Sequence, residues 1–160
     1  MKTLSHLLLL FWLSLNPLTI QAKTFTATVI HVWDGDSLVI STSSGPRQVR
    51  IFGIDAPEKG QSFGKQAHQY LQKLIINQDV LIETLDQDAY KRAVARITLR
   101  ENDIATMMIK AGYAWAYRRY NQDPTQLDLE QKARKEKRGL WQQNEPVAPW
   151  IWRKQQPAIR

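Results

Sequence analysis

The stretch that decides the fold class is TFTATVIHVWDGDSLVISTSSGPRQVRIFGI, residues 24–54. Its first ten residues alternate between apolar and polar or β-branched side chains, which is typical of a half-buried strand. Asp34-Gly35 then suits the positive φ that a hairpin turn demands. A second turn follows at Ser43-Ser44-Gly45-Pro46. The stretch therefore predicts three consecutive strands joined by turns, over residues 24–33, 37–41 and 48–54.

The hydrophobic period changes after residue 58. Apolar side chains recur at helical spacing at Ala67, Tyr70, Leu71, Leu74 and Ile75. The pattern next predicts two strands, one beginning at Val80 and one over residues 93–99. It then predicts two helices, over residues 104–111 and 124–138. This order suggests a mainly β fold with about three helices, built on a five-stranded Greek-key barrel of the OB type. The Pro-, Gln- and Trp-rich end is predicted to be an irregular tail.

Composition limits the classes of function. The chain has 160 residues, with 22 Lys and Arg against 15 Asp and Glu, for a formal charge of +7. This length fits one domain, and the positive charge favours a polyanion or an anionic membrane as partner. Because there is no Cys, a disulfide scaffold, a thiolate zinc site, an iron–sulfur centre and a thiol nucleophile are excluded.

Residues 1–22 have the features of a secretory signal peptide. Lys2 is followed by an apolar run over residues 7–13, and the segment ends in Ile-Gln-Ala. The alternative is an uncleaved membrane anchor, but Pro17 interrupts the run well before the roughly 20 apolar residues that a spanning helix needs. We therefore expect an exported protein, periplasmic or secreted, with one domain over residues 23–142 and a tail over residues 143–160.

Four acidic residues stand out in this basic chain, each beside a turn at the end of a predicted strand. Taken alone, Asp34 and Asp36 fit a hairpin turn, and Asp55 and Glu58 fit a loop. Together, two aspartates from neighbouring strands and a main-chain carbonyl are ligands of the type that Ca²⁺ prefers. Two arginines, Arg50 and Arg92, are predicted near the same strand ends, where a guanidinium grips phosphate oxygens in a two-pronged contact.

Four segments, in order, resemble motifs of one family. They are VIHVWDGDSL (residues 29–38), VRIFGIDAPE (49–58), GYAWAYRRY (112–120) and ARKEKRGLW (133–141). The second is highly specific, and the order and spacing hold over nearly the whole chain beyond the signal segment. The sequence thus resembles the staphylococcal nuclease (thermonuclease) family, whose fold is an OB barrel with helices.

The resemblance implies a calcium-dependent endonuclease that cuts DNA and RNA, preferably single-stranded, to 3′-phosphate and 5′-hydroxyl ends. It implies a monomer without a stable protein partner, which meets the membrane only during export. By position, the motifs imply a role for each site residue. The Ca²⁺ ligands would be Asp36, Asp55 and the carbonyl of Ala56, with Asp34 as a more outlying carboxylate. The catalytic residues would be Arg50, Glu58 and Arg92. The rings of Tyr90 and Tyr117 would contact a base or a phosphate, and packing at the barrel rim is the alternative for both.

One motif departs from the family. Its usual form is D-R/K-Y-G-R, whereas this chain has Asp88-Ala89-Tyr90-Lys91-Arg92. If the Gly position has a positive φ, Lys91 is strained there and could displace Arg92. The alternative function is therefore a catalytically impaired, nucleic-acid-binding OB module. The basic residues of the third predicted helix are interpreted as a solvated face with ion pairs such as Glu130–Arg134.

Overall fold

The structure is a computed structural model that describes residues 23–156, within which the chain forms eight strands and four α-helices. The strands are β1 (Lys23–Val32), β2 (Ser37–Thr42), β3 (Gly45–Ile51), β4 (Ile54–Asp55), β5 (Asp79–Gln87), β6 (Ala93–Leu99), β7 (Asn102–Asp103) and β8 (Trp115–Ala116). The helices are α1 (Gly64–Ile75), α2 (Ile104–Lys110), α3 (Pro124–Lys135) and α4 (Pro149–Gln155), and a short 3-10 helix spans Gly139–Gln142. The predicted signal peptide lies outside the described residues.

Five of the strands form a closed barrel. The hydrogen-bonded order is β3-β2-β1-β5-β6, and β3 also pairs in parallel with β6, with Val49 opposite Ala93. This last pairing joins the two ends of the sheet, so the barrel has no open edge between them. The barrel with its helices confirms the predicted OB-type fold.

The barrel interior is filled by the alternate apolar residues that the strand pattern supplies. Its fully buried side chains include Leu38, Ile40, Ile51, Ile82 and Ile97. Leu71 and Ile75 of α1, and Met108 and Ile109 of α2, join the same core. The helices thus cover the barrel, and the polar residues at the strand ends remain available to form a site.

The third predicted strand is interrupted, which corrects its expected continuation to Ile54. Gly53 has φ of 79°, a conformation that favours glycine and breaks the extended chain. Its carbonyl accepts hydrogen bonds from the Tyr117 N–H (2.9 Å) and the Asn121 side chain (3.0 Å). After this break the chain re-enters as β4, where Asp55 pairs with Trp115 of β8. The break places Asp55 on a separate, fully buried short strand.

The role of Gly35 also differs from expectation. Its φ is not positive, so the turn does not require glycine for its backbone conformation. The requirement is close packing, because an added Cβ would lie 2.6 Å from the Ala56 Cβ and 2.8 Å from the Ala67 Cβ. Gly35 therefore lets the turn between β1 and β2 approach both the chain after β4 and helix α1.

We expect Gly35→Ala to lower the free energy of unfolding by about 1–3 kcal/mol, the usual cost of overpacking. Both neighbouring atoms are methyl carbons on fixed backbone, so the clash is relieved only by moving backbone. Urea unfolding followed by circular dichroism measures the change. Gly60→Ala is the matched control, since an added Cβ there meets no atom within 4 Å. Equal unfolding midpoints for the two variants would contradict this role.

Within residues 143–156 the chain is more regular than predicted. Instead of an irregular tail, residues Pro149–Gln155 form α4, and α3 ends at Lys135 rather than near residue 138. A second apolar cluster joins this region to the domain: Trp115, Ala133, Leu140, Trp141 and Ala148, with Phe63 and Trp150 packed against it. Among the helices of the described part of the chain, none has the length and apolar character needed to cross a membrane.

Candidate active site

Asp36 lies at the start of β2 and is almost fully buried. Its Oδ2 accepts the Ala56 N–H at 2.8 Å, and its Oδ1 accepts the Ser37 hydroxyl at 3.0 Å and Arg50 Nη1 at 2.9 Å. Burial raises the pKa of Asp36 to about 7, although the charge of Arg50 acts in the opposite direction. The carboxylate is thus fixed in place and its burial is costly, which is typical of functional sites.

Arg50 joins the two aspartates. From β3 its Nη1 donates to Asp36 and its Nη2 donates to Asp55 Oδ1, both at 2.9 Å. Burial acts to lower the pKa of Arg50, but the two carboxylates raise it above its ordinary value, so the guanidinium stays charged. The structure therefore brings together three residues that the sequence assigned to one site, and their charges are partly neutralised by one another.

Arg92 reaches the site from the loop between β5 and β6. Its Nη1 donates to the Ser37 hydroxyl at 3.0 Å, and its Nε donates to Asp88 Oδ2 at 2.7 Å. Because the Ser37 hydroxyl in turn donates to Asp36, Arg92 is linked to the buried carboxylate through one side chain. Lys91 has φ of 64°, the left-handed conformation expected if a glycine stood there, and Arg92 is nevertheless held against Ser37.

Asp88 is the residue that positions Arg92. It accepts the Arg92 N–H at 3.0 Å on Oδ1 as well as the guanidinium on Oδ2. Partial burial acts to raise the pKa of Asp88, but the hydrogen bonds from Arg92 lower it below its usual range. Sequence reasoning included Asp88 in a motif and gave it no role. The charged residue at the first position of that motif was the available signal.

Asp88→Asn is expected to slow cleavage about tenfold. Misplacing a catalytic group by 1 Å can cost about 10²-fold, and the substitution weakens only one of the three hydrogen bonds between Asp88 and Arg92. The Asn Oδ1 can still accept the main-chain N–H, so the loop keeps its turn. Steady-state kinetics on single-stranded DNA measures the change in kcat. Asp86→Asn, near the end of β5 and two residues before Asp88, serves as control. A kcat equal to that of the unchanged protein would show that Arg92 needs no positioning by this carboxylate.

Glu58 follows β4 and has a half-exposed side chain. Together with Arg92, Ser37 and Asp34, it lines a cavity of about 430 Å³. Its Oε1 accepts Arg153 Nη1 at 2.7 Å. Arg153, which comes from α4, was missed by sequence reasoning because that segment was expected to be irregular.

The other three residues predicted for the site, Asp34, Tyr90 and Tyr117, lie in different places. Asp34 Oδ1 accepts the N–H groups of Asp36 (3.0 Å) and Ser37 (2.8 Å), so it fixes the turn that carries them. Tyr90 is 81% exposed, with the Arg92 guanidinium 5.5 Å from its ring centre. Tyr117 lines a different cavity, of about 310 Å³. The structure therefore places Tyr90 next to Arg92, which lines the cavity of Glu58, and places Tyr117 at the other cavity.

Trp33 is a second residue that sequence reasoning left out. Its ring is 43% exposed and lines the same cavity as Glu58. The Lys59 ammonium lies 5.3 Å from the ring centre, and His31 packs edge-on at 4.5 Å. An exposed aromatic face beside a positive charge is a surface on which a base can stack. Its position directly before Asp34 was the available signal.

Two basic residues of α3 form the ion pairs that the sequence predicts. Lys132 pairs with Asp128 at 2.7 Å, and Arg134 pairs with the buried Glu130 at 2.7 Å. The Arg134 guanidinium also stacks 3.7 Å from the ring centre of Trp141. Both predicted ion pairs are therefore confirmed, but the Glu130–Arg134 pair is part of the packing and does not belong to a solvated face.

The oxygen donors at the site suit a hard divalent cation. Among residues 23–156, no three His, Cys, Asp or Glu side chains converge as a complete ligand set. The carboxylates of Asp36 and Asp55 nevertheless accept hydrogen bonds from the same Arg50 guanidinium, and the Ala56 N–H donates to Asp36. Asp55 also holds a cationic group, Arg153, on its second oxygen. These residues fit Ca²⁺, provided that water completes its shell.

A comparison with known families bears directly on this geometry. The family model described as staphylococcal nuclease homologue matches residues 48–143, which include Arg50, Asp55, Glu58 and Arg92. The chain belongs to the staphylococcal nuclease family. Membership confirms the resemblance, since three of the four motifs lie inside the matched residues, and it supports hydrolysis of nucleic acid as the activity of this site.

Similar proteins give the same result over most of the chain. An uncharacterized endonuclease of Escherichia coli O157:H7 is 36% identical over 126 residues, which cover 78% of this chain and 82% of that protein. An uncharacterized endonuclease of Haemophilus influenzae is 36% identical over 132 residues, covering 82% and 74%. A micrococcal nuclease of Shigella flexneri is 32% identical over 141 residues, covering 81% of each. Each alignment spans more of the chain than the family model does.

Proposed function

We propose that this nuclease-family protein is a Ca²⁺-dependent endonuclease that hydrolyses DNA and RNA to 3′-phosphate and 5′-hydroxyl ends. One observation carries the proposal: Glu58 and Arg92 face a single cavity whose wall is continuous, through Ser37, with the buried Asp36. A carboxylate that can accept a proton and an arginine that can bind phosphate thus line the same cavity. That combination is what phosphodiester hydrolysis requires.

Each residue has a chemical task in this proposal. Glu58 accepts a proton from the attacking water, or at least orients it, as a general base. Arg92 donates to the phosphoryl oxygens, and Arg50, which keeps N–H groups beyond those used on the aspartates, binds the same group from β3. Asp36, Asp55 and the Ala56 carbonyl would hold Ca²⁺, whose positive charge would offset the negative charge that grows on the phosphoryl group in the transition state.

The surroundings support a nucleic-acid substrate, preferably single-stranded. The chain is basic overall, which attracts a polyanion in a salt-dependent manner. The exposed rings of Tyr90 and Trp33 border Arg92 and Glu58 respectively in the cavity region, and an unpaired base can stack on such rings where a duplex base cannot. We further propose that the protein acts as a monomer and is exported by its N-terminal segment.

The alternative, a binding module that has lost catalysis, depended on displacement of Arg92 by Lys91. The position of Arg92 does not favour it, because the guanidinium still contacts Ser37 while Lys91 takes the left-handed conformation. A non-glycine residue in that conformation costs about 1–2 kcal/mol. This cost affects stability and leaves the arginine in place.

Cleavage of single-stranded DNA by the purified protein, with Ca²⁺ and with a chelator, tests the proposal. We expect cleavage with Ca²⁺ only, and products that a phosphatase acting on 3′ ends can trim and a 5′ kinase can label directly. Retained binding without cleavage under both conditions would favour the binding module. Cleavage that persists in the chelator would reject the role of the cation while keeping the nuclease. N-terminal sequencing of the protein recovered outside the cytoplasm tests export.

A further inference from the structure

Helix α4 places a cationic side chain directly on the acidic residues of the site. Arg153 donates from Nη2 to Asp55 Oδ2 at 2.8 Å and from Nη1 to Asp55 Oδ1 at 3.1 Å. The same Nη1 donates to Glu58 at 2.7 Å. The contact to Asp55 is two-pronged and charge-assisted, which is the stronger class of hydrogen bond. Arg153 is separated from these partners by 95 residues or more.

The rest of α4 is seated on the domain, so this contact is part of the packing. The Trp150 ring lies 5.5 Å from Trp115 and 5.4 Å from Tyr117, measured between centres. Just before the helix, the Val147 carbonyl accepts the side chain of Gln61 at 2.5 Å. The Gln61 side chain also accepts the Glu58 N–H at 3.2 Å. The segment is therefore tied to the same loop that carries Glu58.

Arg153 uses the atoms that the reaction requires. Both carboxylate oxygens of Asp55 accept from it, and Oδ1 accepts from Arg50 as well. A divalent cation on Asp55 would have to share that carboxylate with two guanidinium groups, and like charges so close together repel. Glu58 is also engaged, so it is less available to accept a proton from water. The positive charge of Arg153 also acts to lower the pKa of the neighbouring Arg50.

We propose that Arg153 is an autoinhibitory latch: its guanidinium holds Asp55 and Glu58 in the resting protein, and binding of the catalytic cation displaces it into solvent, which loosens α4. This inference rests on the proposed function and concerns the regulation of the same site. The Arg153 side chain is 43% exposed, so it can move into solvent without crossing the core. The latch thus couples the start of catalysis to occupation of the cation position.

A different assignment would make Arg153 a third arginine that binds phosphate during the reaction. The two assignments predict opposite results. A latch, when removed, raises the affinity for the cation, because the binding-competent fraction of molecules increases. A phosphate-binding arginine, when removed, lowers kcat at saturating cation and leaves cation affinity unchanged. The geometry favours the latch, since both partners of Arg153 are carboxylates of the site.

Calcium titration calorimetry of the chelator-treated full chain, without substrate, is the test. Removing a latch that is closed in about nine of ten molecules should tighten Ca²⁺ binding about tenfold. We compare Arg153→Gln with Lys154→Gln, which removes the same charge from the next, exposed position of α4. Arg153→Lys keeps the charge without the two-pronged contact and should fall between them. Equal or weaker Ca²⁺ binding by Arg153→Gln than by Lys154→Gln overturns the latch.

Hydrogen exchange gives a second readout that does not depend on activity. In the unchanged protein, saturating Ca²⁺ should increase exchange in residues 149–155, while Arg153→Gln should exchange quickly there even without Ca²⁺. Unchanged protection of α4 on adding Ca²⁺ contradicts the latch. If the unchanged protein binds Ca²⁺ and cleaves DNA while the variants behave alike, only the latch fails. If no variant binds Ca²⁺, the cation requirement of the proposed function fails and the latch falls with it.

Discussion

Glu58→Gln is expected to lower kcat for cleavage of single-stranded DNA by about 10²–10⁴-fold, the usual contribution of a general base. The amide keeps the shape of the side chain and cannot accept the proton. Its position supports a large effect, because Glu58 lines the cavity of about 430 Å³ with Arg92. The dissociation constant for DNA should not increase, since removing a negative charge favours binding of a polyanion. Single-turnover cleavage and a separate binding assay measure the two quantities.

Glu83→Gln is the matched control for this substitution. Glu83 lies on β5, is similarly exposed, and pairs with Arg96 at 3.3 Å on the barrel surface. Such exposed pairs contribute only about 0–1 kcal/mol, so the control should cleave and unfold nearly as the unchanged protein does. If Glu58→Gln cleaved at the same rate as the control, Glu58 would have no catalytic role, although the nuclease activity itself could stand on other residues.

The parts of the fold that were predicted correctly depend on sequence patterns within a few neighbouring residues. The strand over residues 93–99 and the start of α3 were placed correctly, because alternation of apolar residues and an Asp-Pro helix start act within a few residues. Asp123 indeed accepts the Thr125 N–H at 2.8 Å as the cap of α3. Barrel closure was inferred from element order alone, and the β3–β6 pairing confirms it.

The missed features depend on contacts between distant segments. The contact of Arg153 with Asp55 spans 98 residues, and no local pattern reports it. The helix that carries Arg153 was in fact predictable, since Pro149 stands at its first position, where its fixed φ is favourable. The need for glycine at position 35 arises from Ala56 and Ala67, so turn statistics gave the right residue type for the wrong physical reason.

Substitution of Arg92 is also expected to cause a large loss of cleavage activity. The Arg92 guanidinium is held on one side by Asp88 and on the other by Ser37, which leaves three of its five N–H groups for other partners, and Arg92 lines the same cavity as Glu58. Fixed donors of this kind act on charge that develops in the transition state, and removing one costs about 10²–10³-fold in kcat. Arg92→Ala should lose at least this much, and Arg92→Lys should recover little, because an ammonium cannot hold Asp88, Ser37 and phosphate in one plane.

Arg96→Ala separates the loss of this guanidinium from a general loss of positive charge. Arg96 is four residues further along, on β6, with an exposed side chain that pairs with Glu83. Both variants lose one positive charge and should show a similarly small weakening of DNA binding at moderate salt. Only Arg92→Ala should lose cleavage under saturating DNA and Ca²⁺. Equal cleavage by the two variants would mean that Arg92 has no part in the reaction, although the nuclease activity would then stand on other residues. Only the absence of cleavage by the unchanged protein, with DNA binding retained, would favour the binding-module alternative, in which Lys91 in its left-handed conformation impairs the Arg92 loop.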